Sequence, residues 1–556
     1  MKQELEAALA GCAQELFDAQ VPVELTRPDE KFGDYATNVA LQLAKQAGKP
    51  PREIADALAA KAKEKLGGKV SDVSVAEPGF LNLRLSDEAL VSSMSTELTK
   101  SNEGRKVLLE YSCPNAFKEL HTGHLYTTIA GDVLGRLLEA SGAIVFRANF
   151  GGDVGLHVAK CLYGVVQEIG GEYPDKLKDI PKASRPEWVS AAYVAGAKAY
   201  EEDETAKAKI TDINSQVYGF HESNDKTSGL AKIYWVCREW SYDYFKDFYE
   251  KIEVEPFDKY YPESSTIEPG SAVVNKHTGT VFEKSDGALI YRGQEAGLHT
   301  RVFVTSKGLP TYETKDLGVI FTEANDFAYD KRVLITGNDQ TDYMKVVFAA
   351  LGAIDRDLAA KQTHLTNGTV RFGSGQKMSS RLGNVSRAVD VIQTVNDTLA
   401  SQNPGSDHYT TALAAIKYTF LKHRLGGDIA FDIDESVSLE GNSGPYLQYA
   451  HARARSILRK AGGEGGKIDS LEAGERTLAR KISEFTEVVD KAVAELMPHY
   501  VCTYLYELAQ IFNRFYENNR VIGDQRQDLR LVLVQKYADT LQAGLNLVGI
   551  ASPDKM

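Results

Sequence analysis

Cysteine is scarce in this chain of 556 residues, and the five present (Cys12, Cys113, Cys161, Cys237 and Cys502) are scattered without a C-x-x-C pair. That spacing excludes a zinc knuckle and a disulfide scaffold, and it fits a reducing, cytoplasmic setting. Long apolar runs are missing too. None approaches the roughly 18 residues that a membrane span needs, so no membrane partner is expected. The opening stretch, MKQELEAALAGCAQELFDAQ, is acidic and amphipathic, unlike the basic and then apolar order of a signal peptide. There is no internal repeat and no excess of positive charge; the net charge is −13. This argues against general nucleic-acid affinity but leaves room for a local basic track, because a patch binds phosphate whatever the total. What remains is an ordinary globular composition, 43% hydrophobic and 25% charged, in a chain long enough for about three to five domains.

The pattern changes twice along the chain. Residues 1–104 read as a small α+β unit. An amphipathic helix is followed by two helices broken at Gly48–Pro51, where proline cannot continue the first, then by the strand-like SVAEPGFLNLRLS and the polar linker TKSNEGRK. From 105 to 399 strands and helices alternate. KVLLEYS is a strand. LYTTIAGDVLGRLLEASG is a helix, with Leu125, Ile129, Val133 and Leu137 every four residues and Gly142 as its stop. AIVFRANF is the next strand. This β-α-β unit is the seed of a Rossmann-like, doubly wound parallel sheet, and RVFVTS, KRVLITG and TDYMKVVFAALGAI are expected to continue it. A charged, helix-rich stretch at about 171–260 reads as an insertion. Beyond 400 no strand is expected, and five segments of helical periodicity predict an all-α bundle.

At the first strand-to-helix corner stands CPNAFKELHTGHLYTT. His121 and His124, at i and i+3, share one face of the first helical turn. A helix start offers unpaired amide donors and partial positive charge, which favour phosphate. The imidazole N–H groups add donors, Lys118 adds a cation, and Gly123 leaves room for a flat ring such as adenine. Alone, such a pair reads more readily as polar helix-start residues with no role, and no further ligands support zinc. Some 250 residues on, VRFGSGQKMSSRLGN is a glycine-rich loop whose Lys377 can reach a triphosphate.

Together, in this order, the H-x-G-H corner and the K-M-S-S-R loop resemble the paired signatures of class I aminoacyl-tRNA synthetases. The resemblance is sharpest to the arginyl-tRNA synthetase family and covers nearly the whole chain. EYSCPNAFKELHTGH is similar to that family's S-x-P-N-x-x-K-x-x-H-x-G-H stretch, FGDYATNVALQLAK and PGFLNLRL to its N-terminal domain, and DIAFDIDESVSLEGNSGPYLQYAHARARSIL with the terminal LVGIASPDKM to its anticodon-binding bundle. The resemblance implies an arginine–tRNA ligase, in which ATP and Mg²⁺ activate L-arginine to arginyl-adenylate with release of pyrophosphate. A terminal ribose hydroxyl of tRNA-Arg then takes the arginine. It also implies a monomer with no structural zinc.

The resemblance likewise implies the site. His121, His124, Lys118 and Lys377 are expected to be catalytic. ATP would be held by these four with Gly123, Met378 and Ser379, and arginine by Glu110, Ser112, Asn115, Tyr312, Asp316 and Gln340. A guanidinium is a planar fork of donors that a carboxylate answers with paired hydrogen bonds, so such a pocket needs an acid. The tRNA would meet Tyr446, Tyr449, Arg453, Tyr516 and Met556 in the bundle, where aromatics can stack on splayed bases, and Phe80 and Asn82 in the N-terminal unit. The chain departs from the family pattern at Val154 and His157, where Trp and Gln are usual. It departs also at Lys307, at Val346, and at Tyr343, where a histidine that helps hold ATP is expected. Three other readings are a small-molecule nucleotidyltransferase, a non-catalytic synthetase-like RNA binder, and a different class I synthetase. The first has no use for the terminal domains, and the intact His121, His124, Lys377 and Asp316 argue against the second. The third is separated by which amino acid is charged. With so acidic a chain, tRNA affinity rests on a local cationic track. Binding measured between about 50 and 200 mM salt should weaken steeply, and a flat profile would contradict this.

Overall fold

The computed structural model describes residues 1–373, 387–404, 408–462, 465–466, 468 and 470–556. Its centre is a five-stranded parallel sheet. In chain order the strands are β1 (Lys106–Glu110), β2 (Ile144–Gly151), β3 (Lys259–Pro262), β4 (Lys331–Gly337) and β5 (Gln362–Asn367), and in space they lie β5-β4-β1-β2-β3. This is the doubly wound order, with its switch point between β1 and β4, where a crevice opens at the carboxyl ends of the strands. Helix α1 (Thr122–Ala140) follows β1, α2 (Tyr312–Asp326) precedes β4, and α3 (Thr341–Ile354) follows it. Alternate residues of β1 serve opposite faces. Val107 and Leu109 join the core that includes α1, while Leu108 joins the one that includes α2 and α3. A strand covered on both sides reads as the continuous apolar run seen in VLL.

The expected insertion holds three helices, Arg185–Glu202, Glu204–Glu222 and Gly229–Lys251, which share an apolar core with the preceding helix Leu156–Glu168 and with Ala116 and Phe117 of the β1–α1 connection. The N-terminal unit is a three-stranded antiparallel sheet (Tyr35–Thr37, Val70–Ala76, Phe80–Leu85) packed on helices. Three sequence expectations are corrected. The strand Arg301–Val304 does not extend the parallel sheet; it pairs antiparallel with Ala288–Tyr291 in a separate three-stranded sheet. A short apolar run cannot declare which sheet it joins. Strands do not stop at 400, because Ile429–Phe431 pairs in parallel with Val370–Phe372. And LARKISEFTEVVDKAVAEL, expected as one helix, is two.

The bundle is built from α4 (Tyr409–Leu421), α5 (Gly444–Ala461), α6 (Ala473–Ser483), α7 (Phe485–Glu495), α8 (His499–Asn518) and α9 (Gln527–Leu547). It is clamped to the N-terminal unit by ion pairs largely out of water. Arg476 reaches Asp34 at 2.6 Å, and Arg27 reaches Glu487 at 2.6 Å. It is tied to the sheet domain through Lys417, whose Nζ donates to the carbonyl oxygens of Gly549 (2.8 Å) and Glu253 (3.3 Å). Burial brings the Lys417 ammonium down to about 8, against the nearby Asp132.

The interior strand β4 begins with two charges, Lys331 and Arg332, of which Arg332 is buried. Arg332 is 1% exposed and lies between two buried acids, donating on both sides: its Nε donates to Glu323 of α2 at 2.6 Å, and its Nη2 donates to Glu110 of β1. Burial opposes the charge on Arg332, but Glu110 and Glu323 hold it above its ordinary value. Arg332→Ala leaves two buried carboxylates without their cation. It should lower stability by about 3–5 kcal/mol, read from the shift of the urea-unfolding midpoint.

Candidate active site

The crevice at the switch point is walled by the β1–α1 connection, the β4–α3 connection and the first turns of α2. Between β1 and α1 three non-glycine residues, Ser112 (φ 69°), Cys113 (φ 47°) and Phe117 (φ 66°), adopt the left-handed conformation. Each such residue is held at a cost of order 1–3 kcal/mol, and such strain collects where a side chain must be aimed. No sequence signal marks these three. The connection is pinned by hydrogen bonds. Thr128 donates to Ser112 Oγ at 2.7 Å, Ser112 Oγ meets Tyr249 Oη at 2.8 Å, and the Phe117 amide donates to Ser241 at 2.9 Å.

At the start of α1, His121 is the N-cap. Its Nδ1 accepts from the His124 amide at 3.4 Å, and His124 Nδ1 accepts from the His121 amide at 3.3 Å. This is a capping box in which histidines do the work usually done by Ser and Glu. The rings stack with centroids 3.7 Å apart. Burial lowers the His121 imidazole, with Lys118 adding to it. Burial also pushes His124 well below its ordinary value, helped by His121 and Lys118. Both rings are therefore neutral at physiological pH. A neutral imidazole that accepts at Nδ1 carries its proton on Nε2, so each presents an Nε2–H donor. Gly123 is needed by the histidine itself: a Cβ there would stand 2.9 Å from His121 Cε1. Lys118 lies against the inserted helices, its Nζ 4.2 Å from the Tyr193 ring centroid. Lys377, Met378 and Ser379 fall outside the described residues. The chain beyond them returns at Arg387, which bridges His121, and the Ala388 amide donates to Leu120 O at 2.9 Å.

The acid-bearing residues gather where β1, β4 and α2 meet, with Asp316 near Glu110, Arg332 and Glu263. Tyr312 opens α2 and is 59% exposed; Asp316 stands one turn on, on the same face. Asp316 accepts a hydrogen bond from the Tyr343 hydroxyl, and no lysine or arginine forms an ion pair with it among the described residues. Burial drives its carboxyl up to about 7. The Tyr343 hydrogen bond opposes the rise, Glu110 adds to it, Arg332 opposes it, and Glu263 adds a smaller push. Glu110 is not free, since Arg332 takes one oxygen; among the described residues the other receives the Cys113 thiol at 3.8 Å. Asn115 is exposed beside Glu263, and Gly152 permits the approach, because a Cβ there would meet Asn115 Oδ1 at 2.3 Å. Glu263 pairs with Lys315, which also donates to Tyr218 at 3.1 Å. Gln340, just past β4, is exposed and donates to Asp339 at 3.0 Å. Of the departures, Val154 is fully buried, and His157 lies within reach of Gly152 O at 3.3 Å, its imidazole brought down to about 4 by burial. Sequence reasoning missed Arg332, Glu323, Glu263 and Tyr249. Only Arg332 left a signal, as a charge inside a central strand.

On the bundle, Tyr446 accepts from Asn513 at 2.8 Å, Tyr449 is 39% exposed under the Arg453 guanidinium at 4.9 Å, and Tyr516 is exposed and stacks on Phe512. The C-terminal segment lies along α5, held by Gln448 on Ala551 O (2.9 Å) and His451 on Pro553 O (3.0 Å), and Met556 is exposed. In the N-terminal sheet Phe80 is exposed. Asn82, in the middle strand between Ala36 and Ser74, is buried.

Three family models match in register with these parts. They are the arginyl tRNA synthetase N terminal domain over residues 1–85, the class I (R) tRNA synthetase catalytic domain over 87–428, and the DALR anticodon binding domain over 447–556. The arginine–tRNA ligase of Frankia casuarinae is 31% identical over 96% of this chain and 94% of its own length. That of Thermobifida fusca is 30% identical over 95% of each. Among solved structures, the Thermus thermophilus arginyl-tRNA synthetase superposes with a TM-score of 0.80 at 27% identity, covering all of both chains. The Plasmodium falciparum enzyme shares the fold, with a TM-score of 0.79 at 21% identity over 100% of this chain and 99% of its own. With its catalytic-domain match spanning more than half the sequence, and relatives aligned from end to end, the chain belongs to the class I arginyl-tRNA synthetase family, the arginine–tRNA ligases.

Proposed function

We propose that the His121–His124 corner and the Asp316 pocket are two halves of one active site, in which L-arginine attacks ATP and is then passed to the 3′-terminal adenosine of tRNA-Arg. The observation that carries the reading is Asp316: a half-buried acid on the face of α2 that Tyr312 opens, with no cation paired to it among the described residues and its carboxyl up at about 7. A guanidinium is the planar, permanently charged group that such an acid lacks. Its arrival restores the ionised carboxylate.

In this reading Asp316, Tyr312 and Gln340 take the guanidinium. Glu110, through the oxygen that Arg332 leaves, lies with Ser112 and Asn115 toward the amino group. The Nε2–H donors of His121 and His124 meet the phosphate oxygens, with Lys118 and Lys377 as cations and Gly123, Met378 and Ser379 about the nucleotide. Mg²⁺ enters with ATP as part of the substrate, held by phosphate and water. A carboxylate oxygen of arginine attacks the α-phosphorus in line, the α–β bridging bond breaks, and pyrophosphate leaves with the electron pair. No enzyme nucleophile is required, so catalysis consists of positioning and of neutralising charge on the phosphates. The tRNA ribose hydroxyl then displaces AMP. Tyr446, Tyr449, Arg453, Tyr516 and Met556 are read as the anticodon surface and Phe80 as an outlying tRNA contact, with Asn82 supporting it from inside the sheet. The divisions at 1–104, 105–399 and 400–556 are read as tRNA-binding, catalytic and anticodon-binding domains. We read the chain as a monomer working in a reducing cytoplasm, consistent with five free cysteines of which four are buried.

Charging total tRNA with each of the twenty amino acids tests the whole reading, and arginine alone should be joined. For the corner, His124→Ala removes one preorganised donor, typically worth about 2.7–4 kcal/mol in the transition state. Arginine-dependent pyrophosphate exchange, run with tRNA present, should fall about 10²–10³-fold in kcat with the arginine KM nearly unchanged. A change confined to the arginine KM would refute the assignment.

A further inference from the structure

Tyr343 stands where the family resemblance leads one to expect a nucleotide-side histidine, yet its hydroxyl donates to Asp316. The two residues come from packed neighbouring helices, α3 and α2. The tyrosine ring is itself backed: the Arg301 guanidinium lies 5.4 Å from its centroid, and Arg301 pairs with Glu313 of α2 at 3.4 Å. The hydroxyl is thus aimed by a side chain that has few places to go.

We infer that Tyr343 is a positioning residue for arginine selection: it fixes one oxygen of Asp316 with a neutral donor and leaves the carboxylate's charge and its other oxygen to the substrate. This deepens, and rests on, the reading of Asp316 as the guanidinium acceptor. The chemistry of the donor matters. A lysine or arginine at this place would satisfy Asp316 outright and compete with the incoming cation. A phenylalanine would leave the carboxylate without a donor, free to rotate and more readily protonated. A hydroxyl does neither, since it favours the ionised form without cancelling its charge.

The groups facing Asp316 set the sign of the pH dependence. Glu110 of β1 and Glu263 push its carboxyl up with burial, while Arg332 of β4 and Tyr343 of α3 hold it down. The two nearest cations are taken, Arg332 by Glu110 and Glu323 and Lys315 by Glu263, so neither pairs with Asp316. Because the folded free enzyme carries this carboxyl at about 7, arginine use is full above that pH and is lost as pH falls through it. Removing the Tyr343 hydroxyl takes away a contribution that lowers the value, so the acid limb must move to higher pH. The neighbouring histidines His121, His124 and His157 are all pushed below their ordinary value by burial and do not account for a limb there.

The test is kcat/KM for arginine across about pH 5.5–8.5 in pyrophosphate exchange with tRNA present, for the unaltered enzyme, Tyr343→Phe and Asp316→Asn. The profile of kcat/KM reports the free enzyme's groups. Tyr343→Phe should shift the acid limb upward and raise the arginine KM near neutrality roughly tenfold, the usual scale for a hydrogen bond to a charged group. Its ATP KM and melting temperature should stay in place. A Tyr343→Phe limb that coincides with the parent's, or a rise in the ATP KM alone, overturns the proposal, while a large arginine KM in Asp316→Asn keeps the Asp316 reading intact. If Asp316→Asn uses arginine as well as the parent does, the pocket reading itself falls, and the proposal with it.

Discussion

One guanidinium, Arg332, is held in the middle of the sheet between two carboxylates, Glu110 and Glu323, where water does not reach any of the three. Two acids share one base in a low-dielectric wall, and Asp316 adds a further acid at its edge. Burial pushes the Glu323 carboxyl well above its usual range even against Arg332. A fully desolvated arrangement of this kind is weak evidence for stability taken by itself. Its function is positional: β1, β4 and α2 meet at one side chain, and these are the three elements that carry Glu110, the approach to Gln340, and the Tyr312–Asp316 face. The geometry of the pocket therefore depends on the same contact that joins the sheet to its covering helix.

The His121–His124 corner follows a different logic. Its charge is not stored in side chains, because burial keeps His121 and His124 neutral. What it offers an anion is direction: amide and imidazole N–H groups converging on a helix start, with the partial charge of α1 behind them. Among the described residues the nearby cations are otherwise engaged, Lys118 over an aromatic ring and Arg387 paired with Asp390 at 2.7 Å and Glu119 at 3.3 Å. A surplus acid on one wall and neutral donors on the other suit a substrate pair in which one partner is a cation at its far end and the other a polyanion.

Much of this was legible in the residues. The apolar spacing of α1, the flanking strands and the H-x-G-H corner placed the first crossover. The four-residue separation of Tyr312 and Asp316 placed both on one face of α2. What stayed hidden was long-range. Nothing near Glu110 announces that a residue 222 positions away will take one of its oxygens, and nothing in RVFV distinguishes a parallel strand from the antiparallel one it becomes. The left-handed run at Ser112, Cys113 and Phe117 is imposed by tertiary hydrogen bonds rather than by glycine. Phe80 and Asn82, two apart and so on one face, differ in exposure because one ends its strand and the other sits between two neighbours.

The reciprocal cap at the start of α1 has a bearing on selectivity. Each histidine ring already occupies the amide of the other, so two of the donors that a phosphate would seek are spoken for in the resting enzyme. A small stray oxyanion gains little by displacing so compact a stopper. Any anion that takes either amide must first displace the ring that holds it, so the cap sets a threshold for entry at this corner.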